Sequence, residues 1–326
     1  MTPGWPLART VLLKLVRLAA VLLVVSLLCF LSLSLLPGDP AQAILGESGS
    51  PQAVAALREQ LGLDRPFLER FLGWLGNAVQ GDLGRSYATN QTVAQIIAER
   101  APVTIELIVL SQLIAIAAAI PAAVAAAARR GSAVDRGMSL WVFTVLSTPN
   151  FVVGFILIWV FAVQLGLYPA NGYVPVSAGI GQHLGSLLLP SLTLAAAPFA
   201  LYQRVLRADL VETYGQEFMQ VARAKGISPL RAAMRHAFRP SLLNLTTSVG
   251  VTVGVLIGSD VIVETLFSLP GLGAELAHSV SARDYAEVQG LVLVIAAAFV
   301  LINAAVDLIY GLIDPRLRAR GKAVTR

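Results

Sequence analysis

Four carboxylates stand in or beside long apolar runs: Glu106, Asp260, Glu264 and Asp307. A charge in lipid is costly and usually faces a cavity, a partner or nearby water. The stretch before Asp260 and Glu264 carries Asn244, Thr246, Thr247, Ser248 and Thr252, more polar than lipid contact favours. Small polar residues of this kind fit helix–helix packing or the lining of a passage. Asp260, Glu264, Asn244 and Thr247 are the candidate pathway residues on these grounds. Each acid also lies within a turn or two of a run end, where it could simply reach water.

Other chemistry finds little support. An intramembrane aspartyl protease needs a Tyr-Asp and a Gly-x-Gly-Asp pair, and Ile257-Gly258-Ser259-Asp260 is only a partial match. His183, His236 and His278 are far apart, with no HExxH pair for zinc. Cys29 is the sole cysteine, which excludes an intrachain disulfide and a cysteine metal cluster. No GxxxxGK[ST] phosphate loop occurs; the one Gly-Lys pair, Gly321-Lys322, lacks the upstream glycine. No catalytic and no metal-binding residue is therefore named. A secondary carrier would show a mid-depth ion site in interrupted helices, and neither is legible.

The elements that hold these residues follow from composition. Of 326 residues, 56% are hydrophobic and 13% charged, with a mean hydropathy of +0.73. Soluble domains are about 45–50% apolar and about 25% charged, so a water-soluble enzyme and a disordered chain are both excluded. Six apolar runs are long enough for membrane helices, which need about 20 residues. The first lies within Leu18–Asp39 and the second is Leu107–Ala128. The third runs from Met138 to Leu167 and the fourth is Leu184–Gln203. Ser241–Ser259 and Val288–Val306 complete the set.

Of the 24 Lys and Arg, 18 fall on one side of this arrangement. They are Arg9, Lys14, Arg17; Arg129, Arg130, Arg136; Arg204, Arg207, Arg223, Lys225, Arg231, Arg235, Arg239; and Arg316, Arg318, Arg320, Lys322, Arg326. This positive-inside bias predicts six spans with both termini cytoplasmic. It also explains the net charge of +5 without nucleic acid, because the charges are divided among four separate segments. On this sidedness Glu106, Asp260 and Glu264 fall toward the outer half, where a peptide amino terminus could pass. Asp307 falls toward the inner end and reads as a packing or interface group. Ala41-Gln42-Ala43 resembles a signal-peptide cleavage site, but the preceding apolar core is longer than such peptides carry, and Pro37 and Pro40 crowd the site. An uncleaved first helix is the expectation.

Between the first two spans, Ser50-Pro51 is a helix start, with a stop at Gly62. Phe67, Leu68, Phe71, Leu72, Trp74 and Leu75 follow at helical spacing. Gly81-Asp82-Leu83-Gly84 breaks that piece, and Thr92 with Gln95 offers a capping box for the next. This region reads either as a helical cap on the membrane or as a docking or gating surface for an external partner. On the inner side, Arg204–Arg239 reads as helix, tight turn, helix. Gly226 suits a C-terminal cap, and Ser228-Pro229 opens a second helix. A plain connector would need only a few residues.

Gln220-Val221-Ala222-Arg223-Ala224-Lys225-Gly226 resembles the EAA loop of binding-protein-dependent ABC importer permeases. Gly215-Gln216-Glu217-Phe218 and Arg235-His236-Ala237-Phe238-Arg239 resemble the B-type subunit of the dipeptide/oligopeptide/nickel branch. Further blocks agree in order: Leu61–Pro66, Gly81–Ser86, Ser147–Phe151, Leu189–Leu194, Val263–Gly273, Asp284-Tyr285 and Asp314-Pro315-Arg316. Gln220 stands where the general pattern has Glu, and Pro240 comes earlier than the branch usually places a proline.

The resemblance implies an all-α polytopic fold of the type I ABC importer permease. That fold has six transmembrane helices and a small helical extracytoplasmic insertion. The segments would be 1–36, cytoplasmic N-terminus and first helix; 37–100, the insertion; 101–314, a five-helix core with its coupling loop at 207–240; and 315–326, a basic tail. Gln220 to Ile227 would couple to the ATPase, with Ala222, Ala224 and Gly226 permitting close contact and Arg223 and Lys225 meeting acidic groups. The implied function is a permease subunit of an ATP-driven importer in the inner or plasma membrane, working by alternating access. The implied cargo is dipeptides or oligopeptides, with nickel, glutathione or another small solute as alternatives. The implied partners are a homologous C-type permease, two cytoplasmic ATPase subunits or domains, an extracytoplasmic solute-binding protein and membrane lipid. The chain itself would need no cofactor, since ATP and Mg would bind the ATPase.

Overall fold

A backbone in lipid has no water to satisfy its N–H and C=O groups, so it must close its hydrogen bonds within helices or a closed barrel. The computed structural model describes residues 5–35, 39–45, 50–216 and 238–313, and among them the secondary structure is helical, with one isolated β-bridge, Arg85 to Thr92. The helices are α1 (Trp5–Leu35), α2 (Pro40–Leu45), α3 (Pro51–Gln60), α4 (Phe67–Val79), α5 (Val93–Ala128) and α6 (Ala133–Ser147). They continue with α7 (Asn150–Leu157), α8 (Ile180–Tyr214), α9 (Phe238–Leu266), α10 (Leu272–Ala282) and α11 (Tyr285–Ile313). Four helices are long and apolar enough to cross a membrane, and up to six if each of two bent pairs is one span. The chain divides into two compact units: Met1–Thr104 with Pro270–Leu301, and Ile105–Leu269 with Ile302–Arg326.

In the first unit the predicted caps are present. Ser50 Oγ accepts from Ala53 N at 3.2 Å and starts α3. Gly62, at φ +64°, follows its end, in the left-handed region that glycine tolerates best. Thr92 N donates to Gln95 Oε1 at 3.3 Å, and Gln95 N donates to Thr92 Oγ1 at 3.4 Å, a reciprocal capping box opening α5. Asp39 Oδ1 caps the unanticipated short helix α2 through Ala41 N at 3.0 Å. Helix α4 divides its apolar residues between two faces. Phe67, Phe71 and Trp74 gather around Phe30 of α1, with ring centroids 5.3, 5.5 and 6.4 Å from it. Leu68 and Leu72 are exposed.

One carboxylate anchors the insertion. Buried Asp284 accepts from Ser86 Oγ at 2.6 Å and Ala88 N at 3.1 Å, and through its other oxygen from Glu287 N at 3.1 Å. It therefore caps α11 and holds the 84–92 loop at once. Burial, then the Asp284 charge, pushes the Tyr87 phenol above its ordinary value, so this ring stays neutral beside the anchor.

In the second unit, α8 packs against α5 and α9. A stripe of Ala115, Ala119, Ala123 and Ala127 on α5 gives room for Tyr202, Leu206, Leu210 and Tyr214 of α8. The fourth apolar run ends at Gln203, but the helix that carries it continues, in keeping with a helix expected beyond Arg204. Arg204 and Arg207 do not close it at Gln203; α8 runs on to Tyr214, because buried residues keep recurring every four positions past the arginines.

The third run is sharply bent. It is not one helix from Met138 to Leu167. Thr148 is extended (φ −96°, ψ 126°) ahead of Pro149, as steric conflict with a following proline ring favours. Ala133–Ser147 and Asn150–Gln164 meet at a bend of 107°, and the last seven residues, Ile158–Gln164, are π-helical. The fifth run is bent too, by 55° between Asn244–Gly258 and Asp260–Leu266. Interrupted helices, illegible in the sequence, are thus present at two places. Gly and Ser neighbours are common kink sites, and Gly258-Ser259 stands at the second.

Candidate functional site

The bend in α9 sets the surroundings of the two central carboxylates. Asp260 and Glu264 follow it on one helical face, and both are 0% exposed. Neither end-of-run water nor solvent reaches them, so the alternative that they simply touch water does not hold in this fold. Both Asp260 oxygens lack a hydrogen-bond partner among the described residues. An unpaired polar group buried in this way carries a desolvation cost of about 1–3 kcal/mol, more when charged. After α9 the chain turns back: Leu269 N donates to Glu264 O at 2.8 Å, and Gly172 N donates to Phe267 O at 2.8 Å. Helix α7 comes so near that a Cβ on Gly154 would stand 2.6 Å from Leu266 Cδ2.

A polar network crosses the same unit. The Tyr202 hydroxyl, on α8, is hydrogen-bonded to Gln112 Oε1 on α5 and Thr252 Oγ1 on α9. With the Tyr202 hydrogen on Gln112 Oε1, the single Thr252 hydroxyl hydrogen is shared between Tyr202 and Val249 O, 2.9 Å away. Gln112 Nε2, Gln203 Nε2 and Ser191 Oγ are buried without a partner among the described residues. The other two pathway candidates lie on α9 ahead of the bend. Exposed Asn244 donates through Nδ2 to Asp209 Oδ2 at 3.0 Å, and Thr247 is half-buried. The four candidates thus share one helix without converging on one point: the acids are buried at the bend, and Asn244 is about four turns away.

Glu106 joins a different cluster. Its Oε2 lies 3.5 Å from His183 Nε2 and accepts from the Tyr173 hydroxyl at 3.3 Å. His183 Nδ1 meets Val174 O at 2.8 Å, which fixes the ring and makes Nδ1 the donor. Burial, then the Glu106 charge, pushes the Tyr173 phenol above its ordinary value, so it remains a donor to that carboxylate.

A third contact was missed in the sequence. Arg207 Nε and Nη2 on α8 donate to Asp135 Oδ1 and Oδ2 at 2.6 and 2.8 Å. Asp135 Oδ2 also accepts from Gly131 N at 2.9 Å, while Ser132 Oγ caps α6 by accepting from Asp135 N at 3.3 Å. This fork ties the α5–α6 turn to α8, seven residues before that helix ends. The signal available was an acid three residues after a serine cap, close behind Arg129-Arg130. The predicted coupling residues Gln220, Val221, Ala222, Arg223, Ala224, Lys225, Gly226 and Ile227 lie outside the described residues, as do the flanking 217–219 and 228–237. Among the described residues no group of three or more His, Cys, Asp or Glu is placed to hold a metal.

Comparison with known proteins gives this arrangement its family. Residues 119–319 match the family described as "Binding-protein-dependent transport system inner membrane component", and residues 7–108 match its N-terminal family. A putative peptide transport system permease protein of Brucella abortus (strain 2308) is 40% identical over 298 residues, 91% of this chain and 95% of that protein. A probable peptide ABC transporter permease protein of Sinorhizobium fredii is 36% identical over 94% of this chain and 98% of its own length. The glutathione transport system permease protein GsiC of Escherichia coli (strain K12) is 38% identical over 94% of this chain and 97% of its own. Among solved structures, the MetNI methionine ABC transporter in inward-facing conformations aligns with a TM-score of 0.53 and 16% identity, covering 68% of this chain and 97% of that one. That likeness is one of fold, and it is the type I ABC importer permease fold. The bent, multi-pass helical chain described above therefore belongs to the binding-protein-dependent transport system inner membrane components, the permeases of ABC importers.

Proposed function

We propose that this permease carries short peptides by alternating access and that the Asp260–Glu264 face of α9 lies on their path. The observation that carries this reading is the Asp260 carboxylate, wholly buried at the bend with neither oxygen hydrogen-bonded among the described residues. A peptide brings a cationic amino terminus, and a low-dielectric carboxylate attracts it far more than an exposed one does. A helix bent at that point can expose the acid in one state and bury it in the other, the differential contact that a two-state device requires. Relatives named for peptide transport support the cargo class. Glutathione, itself a small peptide, is the second reading, favoured by the relative named for it. Thr247 and Asn244 would extend the path along α9.

The drive would come from elsewhere. The sequence carries no phosphate loop, so ATP and Mg would bind two separate ATPase subunits or domains, and this chain needs no cofactor of its own. A homologous C-type permease would complete the passage, and an extracytoplasmic binding protein would deliver the cargo. Gln220 to Ile227 would seat on the ATPase from the cytoplasmic side of the plasma membrane, the side on which the positive-inside bias would put both termini. The Asp135–Arg207 fork would stiffen the end of α8 that leads to this loop.

The test uses the assembled transporter in proteoliposomes with its binding protein. Asp260→Asn should cut uptake of a labelled dipeptide at least tenfold, with the complex still assembled. Gly226→Trp should leave assembly intact and abolish the rise in ATPase rate on adding loaded binding protein. Unchanged uptake in the first variant sinks the pathway role, and unchanged stimulation in the second sinks the coupling role.

A further inference from the structure

The first unit carries an open cleft of about 730 Å³ that the transport reading leaves unused. We infer that it is a binding site for an anionic phospholipid of the leaflet reached by the C-terminal end of α1. Three arginines, Arg65, Arg70 and Arg85, line it against one acid, Glu69. Glu69 is already engaged with Arg65 at 3.5 Å. Arg70 forms no ion pair among the described residues; its guanidinium stacks over the Phe30 ring, 5.5 Å from the centroid. Among the described residues, Arg85 donates to a backbone oxygen, Asn90 O at 3.3 Å, and forms no ion pair. Guanidinium forks match phosphate geometry, and their weak hydration suits them to a partly apolar site. Trp74 Nε1, in the same wall, is a buried donor without an acceptor among the described residues.

The apolar half of the site points to a lipid rather than a free anion. Phe30 belongs to α1 near the end of its apolar span, Val16–Leu35. Tyr285 opens the last span, Tyr285–Val306, and also lines the cavity. The cavity therefore sits at the level where two spans meet their headgroup layer, the depth at which Trp and Tyr concentrate. Helix α4 presents Leu68, Leu72 and Val79, 62%, 56% and 82% exposed, on the side away from its aromatic contacts. Leu27, Leu28 and Leu31 of α1 are exposed as well, and the pocket's own apolar lining, Ile44, Leu57, Leu61 and Leu83, suits the start of an acyl chain. A volume of this size falls within the range that takes one headgroup-sized ligand.

The assembled transporter is delipidated in neutral detergent and titrated with short-chain phosphatidylglycerol, short-chain phosphatidylcholine or inorganic phosphate. Native mass spectrometry then counts the bound ligand. One phosphatidylglycerol should bind to the wild-type complex, and phosphatidylcholine should not compete for it. An arginine near a lipid headgroup is worth about fivefold in affinity, so R70Q/R85Q should bind about thirtyfold more weakly. Because Arg70 also packs on Phe30, a second variant leaves the charges alone. A Cβ on Gly73 meets nothing within 4 Å and Gly73 lines the cavity, so Gly73→Leu has room at its first carbon and should fill the space and expel the lipid. Equal binding of phosphatidylcholine overturns the inference, as does wild-type affinity in both variants. Inorganic phosphate that binds as tightly as phosphatidylglycerol also overturns it, in favour of a free-anion site.

Discussion

The Asp135–Arg207 fork allows a prediction with a worked size. Removing either partner of a buried ion pair costs about 3–5 kcal/mol, because the other charge is left uncompensated. An exposed pair is worth about 0–1 kcal/mol. Here the Asp135 side chain is 6% exposed and that of Arg207 29%. The pair lies nearer the buried limit, and solvent at the arginine screens part of the loss. We expect Asp135→Ala and Arg207→Ala each to lower unfolding free energy by about 2–3 kcal/mol. The double variant should lose little more than either single one, giving a coupling of about 2 kcal/mol. Arg207→Lys keeps the charge but not the two-pronged geometry, and should lose about half as much as alanine. Equilibrium unfolding in mixed micelles measures all four. A coupling below about 0.5 kcal/mol refutes the reasoning, since the two bonds would then be incidental to the stability of this unit.

Three further outcomes follow from the packing. Gly250→Ala puts a Cβ 2.2 Å from Val306 Cγ1 and 2.8 Å from its Cβ, where a branched side chain cannot swing aside. It should destabilise by about 1–3 kcal/mol in the same assay. Gly76→Ala, whose Cβ meets nothing within 4 Å, should instead raise stability by about 0.5–1 kcal/mol through helix propensity. Asp284→Ala strips a cap from α11 and two acceptor contacts from the 84–92 loop, a loss of about 2–4 kcal/mol. Hydrogen exchange should show faster opening at Ala88 and Thr89, and unchanged protection there would count against the anchor.

What could be read from the sequence was mostly local. Ser50-Pro51, Gly62 and the Thr92/Gln95 pair act within one turn of themselves, and each sits where its own chemistry puts it. The family was legible because its blocks are spread along the chain in order. What could not be read depends on partners distant in sequence. Arg207 looked like a span end, yet Asp135, 72 residues earlier, lets it sit inside a helix. Thr148-Pro149 was read as a family block rather than as the break it makes. Asp260 looks able to reach water because hydropathy counts residues to an end, yet it is 0% exposed in the fold. Tyr202, Gln112 and Thr252 were each visible as polar residues in apolar runs, but only the fold joins them.

The Asp284 anchor also sets a schedule for synthesis. Ser86 leaves the ribosome 198 residues ahead of the carboxylate that will hold it. At about 5–20 residues per second, that gap lasts roughly 10–40 s. Through this interval helices α2 to α4 have only α1, the start of α5 and one another within their unit to lean on. Small helices of this kind are marginal without tertiary packing. The insertion is therefore the last part of the first unit to become secure, although it is among the first to be made. A slow translation pause between the codons for Ser86 and Asp284 would lengthen its exposure to proteases, and one after Asp284 would not.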